Sequence, residues 1–175
     1  SVMPRTYTLK KRARQQAETR RRIVEAAVEL HSTVGPAATT LSMVAARAGV
    51  QRHTLYAHFP EERDLFLACS ELAATRDPPP DAEAWCGTAD RAARLRAGLA
   101  EIYAWYERNA SLLGCVLRDA EHHALTREVH ARRSGPGMAA WHEVLGAEVS
   151  PTQRAMLHLP LSFFTLRTLV RDRGL

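Results

Sequence analysis

Three features of the sequence predict an all-α fold. No segment alternates apolar and polar residues over the length of a strand, and no Asn-Gly pair marks a hairpin. Several segments instead place apolar residues three and four apart, the spacing of one helix face. A first helix is expected from about Ala17 to Val34, with Ile23, Ala27, Leu30 and Val34 on one stripe and Gly35-Pro36 to end it. Thr39 or Thr40 then caps a second, LSMVAARA, which closes at Gly49, a residue suited to the left-handed turn position. The third covers about Gln51 to Phe59 and is broken by Pro60. The fourth, EERDLFLACSELAAT, leads with acids that suit a helix amino terminus.

RDPPPDAEAW is the clearest boundary, because three consecutive prolines cannot continue a helix, and a linker or elbow is expected there. Leu95, Leu99, Ile102 and Tyr106 then mark a helix from about Thr88 to Arg108. SLLGCVLRDAEHHALTREVHARR supplies one or two more, RRSGPG reads as a loop, and MAAWHEVLGAE reads as helix. Ser150 and Gln153 with Pro151 between them form a capping-box start for a last helix reaching about Arg173, with a kink or break at Pro160.

Charge divides the chain. Residues 1–60 carry ten Lys or Arg against three acids, a net of +7, whereas residues 61–175 carry fourteen against sixteen, a net of −2. The basic end suits a polyanion, nucleic acid above all, although residues 1–16 taken alone also read as a flexible, solubilising arm. Cysteines at 69, 86 and 115 show neither zinc spacing nor an even count for disulfides, and are read as small core thiols. With no secretory signal and no apolar run of bilayer length, a soluble cytoplasmic protein without a membrane partner is expected.

The third helix is unusually polar for its length. At about 100° per residue Leu55 and Phe59 fall together and face inward, while His53 and Ala57 lie opposite, flanked by Thr54 and Tyr56, with Arg52 at the exposed amino-terminal end. Two short helices about a glycine turn in a basic setting are the geometry that presents a second helix to the DNA major groove. Arginine can grip guanine with two hydrogen bonds, histidine and threonine can reach base edges or phosphates, and tyrosine can donate to phosphate.

Residues 21–68, RRIVEAAVELHSTVGPAATTLSMVAARAGVQRHTLYAHFPEERDLFLA, resemble the DNA-binding domain of the TetR family of bacterial repressors, through ATT before the second helix, AxxAGV, TLYxHF and FPxxxDL. The resemblance implies an amino-terminal three-helix DNA-binding domain with a helix-turn-helix, residues 17–75, after a basic arm, residues 1–16. A larger helical effector-binding and dimerisation domain, residues 76–175, follows. It implies a homodimer that represses from a palindromic double-stranded operator and is released by a small apolar or aromatic effector. Thr40, Arg52, His53, Thr54, Tyr56 and His58 match the DNA-contacting positions. Glu62 stands where many members carry a phosphate-binding lysine, and Arg63 beside it is the substitute. Gln51 replaces a small capping residue, and His31 replaces a phenylalanine, either as a satisfied core histidine or as a local weak point. SFFTLRTLVRDRGL is similar to the family's penultimate helix, after which one more helix is the rule.

For the effector, Trp105, Tyr106, Leu113, Val116, His122, Trp141 and Phe163 are the candidate lining residues, with Asp119 and His123 as further polar anchors, although aromatic residues at helical spacing also serve as plain core. Leu161, Phe164, Leu166, Leu169 and Val170 are the candidate dimer surface. The rival readings are a constitutive regulator without effector and a helical metal-binding protein or enzyme using Asp119 and His122, an i, i+3 pair able to chelate. The second lacks a matching Glu-x-x-His helix, and Ser111 and Cys115 lack a base with an orienting acid, so no catalytic residue, metal or cofactor is expected.

Overall fold

The computed structural model describes residues 5–174, and the described residues form helices without a strand. Helix α1 spans Arg5–Thr33, α2 Leu41–Ala48, α3 Arg52–His58 and α4 Glu62–Arg76. Their facing sides enclose one apolar core built on Ile23, Ala27, Val44, Leu55, Phe59 and Leu65. Helix α3 is only seven residues long, too short to persist alone. Burial of Leu55 and Phe59, each 1% exposed, holds it, at about 1.5–3 kcal/mol per side chain.

After Asp77 the triple proline leads into a single 3-10 turn, Ala82–Trp85, and then α5 Arg91–Arg108, α6 Ala110–Ala120 and α7 Ala124–Leu145. Helices α8 Pro151–Met156 and α9 Phe163–Arg167 follow, with a π-helical turn at Thr168–Asp172. A second apolar core gathers Trp85, Ile102, Tyr106, Trp141, Leu145, Leu161 and Phe163. Helix α1 packs against α6, and α4 against α7, so the two cores share a seam. No helix among the described residues is long and apolar enough to cross a membrane.

Four expectations change. The basic segment read as a flexible arm is helical from Arg5, twelve residues before the expected start at Ala17; residues 1–4 of that arm lie outside the described residues. Its side chains from Tyr7 to Glu18 are all exposed, so this part of α1 is a helical extension of the buried part rather than a packed element, and nothing in its sequence breaks the helix. The RRSGPG loop is instead the middle of α7, with Pro136 inside the helix. Packing of α7 against α4, α5 and α6, with Val129 buried before the proline and Trp141 and Leu145 after it, outweighs its missing N–H. Cys86 is exposed, unlike Cys69 and Cys115. Leu161 and Leu166 are buried in the second core, which removes them from the dimer surface; Leu169 and Val170 remain exposed.

The capping signals are used as expected. Thr40 Oγ1 accepts from the Met43 amide to cap α2, while Thr39 donates to the Gly35 carbonyl inside the preceding turn. Ser150 and Gln153 form the reciprocal capping box. The run after it does break before Phe163, around Pro160.

Candidate nucleic-acid interface and interior cavity

The turn between α2 and α3 is set by Gly49, at φ +67°, where a side chain is disfavoured although there is open space beside it. Its amide donates to the last turn of α2, and the Gln51 carbonyl accepts from Thr54 and Leu55 to start α3. Gln51 makes no side-chain cap, so α3 begins without one and depends on its buried face. Arg20 of α1 secures the far end, its guanidinium 4.2 Å from the Phe59 ring centroid.

With Leu55 and Phe59 inward, the outward surface of α3 presents Arg52, His53 and Tyr56 exposed, and Thr54 and His58 half-buried beside them; Thr40 is exposed at the start of α2. The acids of the basic region are occupied within the domain. Glu18 and Glu25 pair with Arg21, Glu25 also with Arg76, and Glu29 with Arg47. Lys10, Lys11, Arg12 and Arg14 stay exposed on the projecting part of α1. Arg63 is exposed at the start of α4 and pairs with Glu128 of α7.

Below this surface a cavity of about 420 Å³ lies among α1, α4, α5, α6, α7 and the α8–α9 segment. Trp105, Tyr106, Leu113, Val116, Trp141 and Phe163 all line it. Tyr106 donates to the Leu161 carbonyl at 2.7 Å, Trp105 to that of Asp77 at 2.9 Å and Trp141 to that of Pro80 at 2.8 Å. Their polar ends therefore brace the proline elbow and the α8–α9 break, which leaves the ring surfaces to the interior. Asp77 is fastened further by Arg108 at 2.9 Å and Asn109 at 2.8 Å; beside that guanidinium its carboxyl lies below the usual range.

His122 is exposed and stands outside the cavity, as do His123 and Asp119. The Asp119 carboxylate, 2% exposed, is spent otherwise: it accepts from the Ala37 amide at 2.9 Å and from Arg118 Nε at 2.7 Å, while Arg118 also reaches the Val34 carbonyl. Burial alone would raise its pKa, but these partners hold it below the ordinary value. This clamp ties α6 to the turn between α1 and α2, the reverse of a vacant chelating pair. Gly35, at φ +97°, sits directly against it, and a Cβ there would collide with both Arg118 and Asp119.

The cavity's polar groups are ones that sequence reasoning did not select. His31, His130, His142 and His158 line it, and no carboxylate does among the described lining residues. His130 contacts Ser134 at 3.3 Å, and burial lowers its pKa. His142 and His158 stack at 4.1 Å, and burial together with His158 lowers the pKa of His142. His31 is 5% exposed, lies 4.9 Å from the Phe66 ring, and has its Nε2 buried without a hydrogen-bond partner. Among the described residues it is therefore not a fully satisfied core histidine. The sequence signal was present, a histidine where the resemblance implies phenylalanine, but its surroundings come from α4, α6 and α7.

A buried three-helix scaffold, a glycine turn and a polar exposed α3 define the amino-terminal part as a helix-turn-helix domain of the regulator class. A family model described as bacterial regulatory proteins, tetR family, matches residues 23–69. The HTH-type transcriptional regulator AcrR of Shigella flexneri is 39% identical over 64 residues, a segment covering 36% of this chain and 30% of that relative. The amino-terminal domain thus belongs to the TetR family of bacterial regulators, and the chain matches less than a third of that relative's length.

Proposed function

We propose that this protein represses transcription as a homodimer bound to a two-fold-symmetric operator and leaves the DNA when a small, largely apolar molecule fills the interior cavity. The observation that carries the reading is the outward face of α3, where Arg52, His53 and Tyr56 are exposed and the acids of residues 1–60 are already paired with arginines. Arg52 and His53 would read base edges, and Thr40, Thr54, Tyr56 and His58 would position the phosphates. On this reading residues 17–75 are the reading head and residues 76–175 the effector and dimer domain. Met156, Leu159, Leu169 and Val170 are exposed apolar side chains of the carboxy-terminal elements and support a two-fold contact there.

Helix α6 supports control by a ligand. Leu112, Leu113, Val116 and Leu117 line the cavity, while Asp119, one turn on, holds the turn that precedes α2. A ligand releases DNA only through a difference in its affinity for the two arrangements of the reading heads, and α6 touches both ends of that linkage. Selection of binding sites from random DNA, followed by footprinting with and without a screen of apolar and aromatic compounds, tests the proposal. A palindromic logo and a compound that lowers operator affinity are expected. No enriched site would end the DNA-reading assignment, and an enriched site insensitive to every compound would favour a constitutive regulator.

A further inference from the structure

The cavity is mainly apolar, yet its end beneath the reading head is lined by an imidazole, His31, whose buried Nε2 has no hydrogen-bond partner among the described residues. Val28 and His31 bring α1 into the wall, and Phe66, Cys69 and Ala73 bring α4. His31 is a buried polar residue of that corner whose Nε2 is unpaired among the described residues, whereas buried Thr126 is paired with His123. A buried donor or acceptor left unpaired is unfavourable, so a ligand group that pairs with it recovers that cost. We propose that His31 is the polar anchor of the effector site, and that its ligand is a neutral, mainly aromatic molecule carrying a hydroxyl at its buried end. This rests on the reading of the cavity as an effector site.

The chemistry follows from what surrounds the anchor. The imidazole is neutral at physiological pH because burial lowers its pKa to about 4, so it offers no charge to a carboxylate. The described lining residues include no Asp or Glu, so a cationic ligand finds no counter-charge. Arg133, the cavity's guanidinium, is exposed to solvent and donates to Ser70 at 3.2 Å. A neutral imidazole nitrogen either accepts or donates according to its tautomer, and a hydroxyl can answer both. The volume, about 420 Å³, suits a ligand of a few fused or linked rings. Because His31 is part of α1, such a ligand touches the DNA-reading domain directly as well as α6.

The test uses 1-naphthol and naphthalene as probes, with equilibrium dialysis against the full chain at neutral pH. The wild type is expected to bind naphthol about tenfold more tightly than naphthalene, the worth of one buried hydrogen bond. His31→Phe should abolish that preference while leaving naphthalene binding intact, and His31→Gln, which keeps a hydrogen-bonding amide, should retain part of it. Equal binding of the two probes to the wild type, or a preference that survives His31→Phe, would overturn the assignment of His31 alone. Failure of both probes to bind any of the three proteins would overturn the effector cavity itself, and the anchor with it.

Discussion

Asp119→Ala removes the clamp between α6 and the turn that precedes the helix-turn-helix. The side chain makes two charge-assisted hydrogen bonds, to the Ala37 amide at 2.9 Å and to Arg118 at 2.7 Å. The Arg118 side chain is 55% exposed, so water replaces that bond at little cost. The bond from the Ala37 amide is part-buried, and such a bond to a carboxylate is worth about 1.5–3 kcal/mol. Partial access of water brings the expected loss to about 2 kcal/mol. At a urea slope of about 2 kcal/mol per molar, the unfolding midpoint should fall by about 1 M. Asp119→Asn keeps an acceptor for Ala37 and should recover more than half, whereas Arg118→Ala should cost less than either. Gly35→Ala is the independent perturbation, because its Cβ would enter the clamp at a backbone angle unfavourable to any side chain. An Asp119→Ala midpoint equal to that of the wild type would refute the clamp, and a larger loss in Arg118→Ala would show that the guanidinium's pairing with the buried carboxylate had been undervalued.

His31 should make the protein acid-sensitive. Its folded pKa, about 4, lies below the ordinary 6.5, so between those values the unfolded chain takes the proton more readily and stability falls as pH drops. The loss by pH 4.5 should be on the order of 2 kcal/mol, and denaturation of His31→Phe at pH 7 and 4.5 should show a smaller decline; equal declines would place the acid sensitivity elsewhere. Arg52→Ala should cost about 1–3 kcal/mol in operator binding and relax preference at one base pair per half-site, whereas neutralising Lys10, Lys11, Arg12 and Arg14 should weaken all sequences alike and flatten the salt dependence. An unchanged logo for the first, or an unchanged slope for the second, would reassign those residues. Leu169→Asp should convert a dimer to monomers by light scattering at micromolar concentration; a monomeric wild type would exclude the two-fold arrangement.

Local chemistry made much of the fold legible. Thr40 capping α2, Gly49 in the left-handed region, the Ser150–Gln153 box and the break near Pro160 are decided by residues within a few positions of one another. The orientation of α3 followed in the same way from Leu55 and Phe59 one turn apart, and with it the exposed set Arg52, His53 and Tyr56. The aromatic supply of the interior was also visible, because large apolar residues at helical spacing must be buried somewhere.

What only the tertiary structure decided depends on partners distant in sequence. Pro136 remains inside α7 because three other helices hold that axis, a term no local propensity contains. Leu161 and Leu166 are apolar in either role, and their position against Tyr106 and its neighbours made them core rather than a dimer face. Arg63 finds its partner, Glu128, on α7, and Asp119, three residues from His122 in sequence, binds Ala37, 82 residues away. His31 is the sharpest case. Its identity was conspicuous from the start, but whether a buried imidazole is satisfied depends on which atoms surround it, and those come from helices that meet α1 only when the chain has folded.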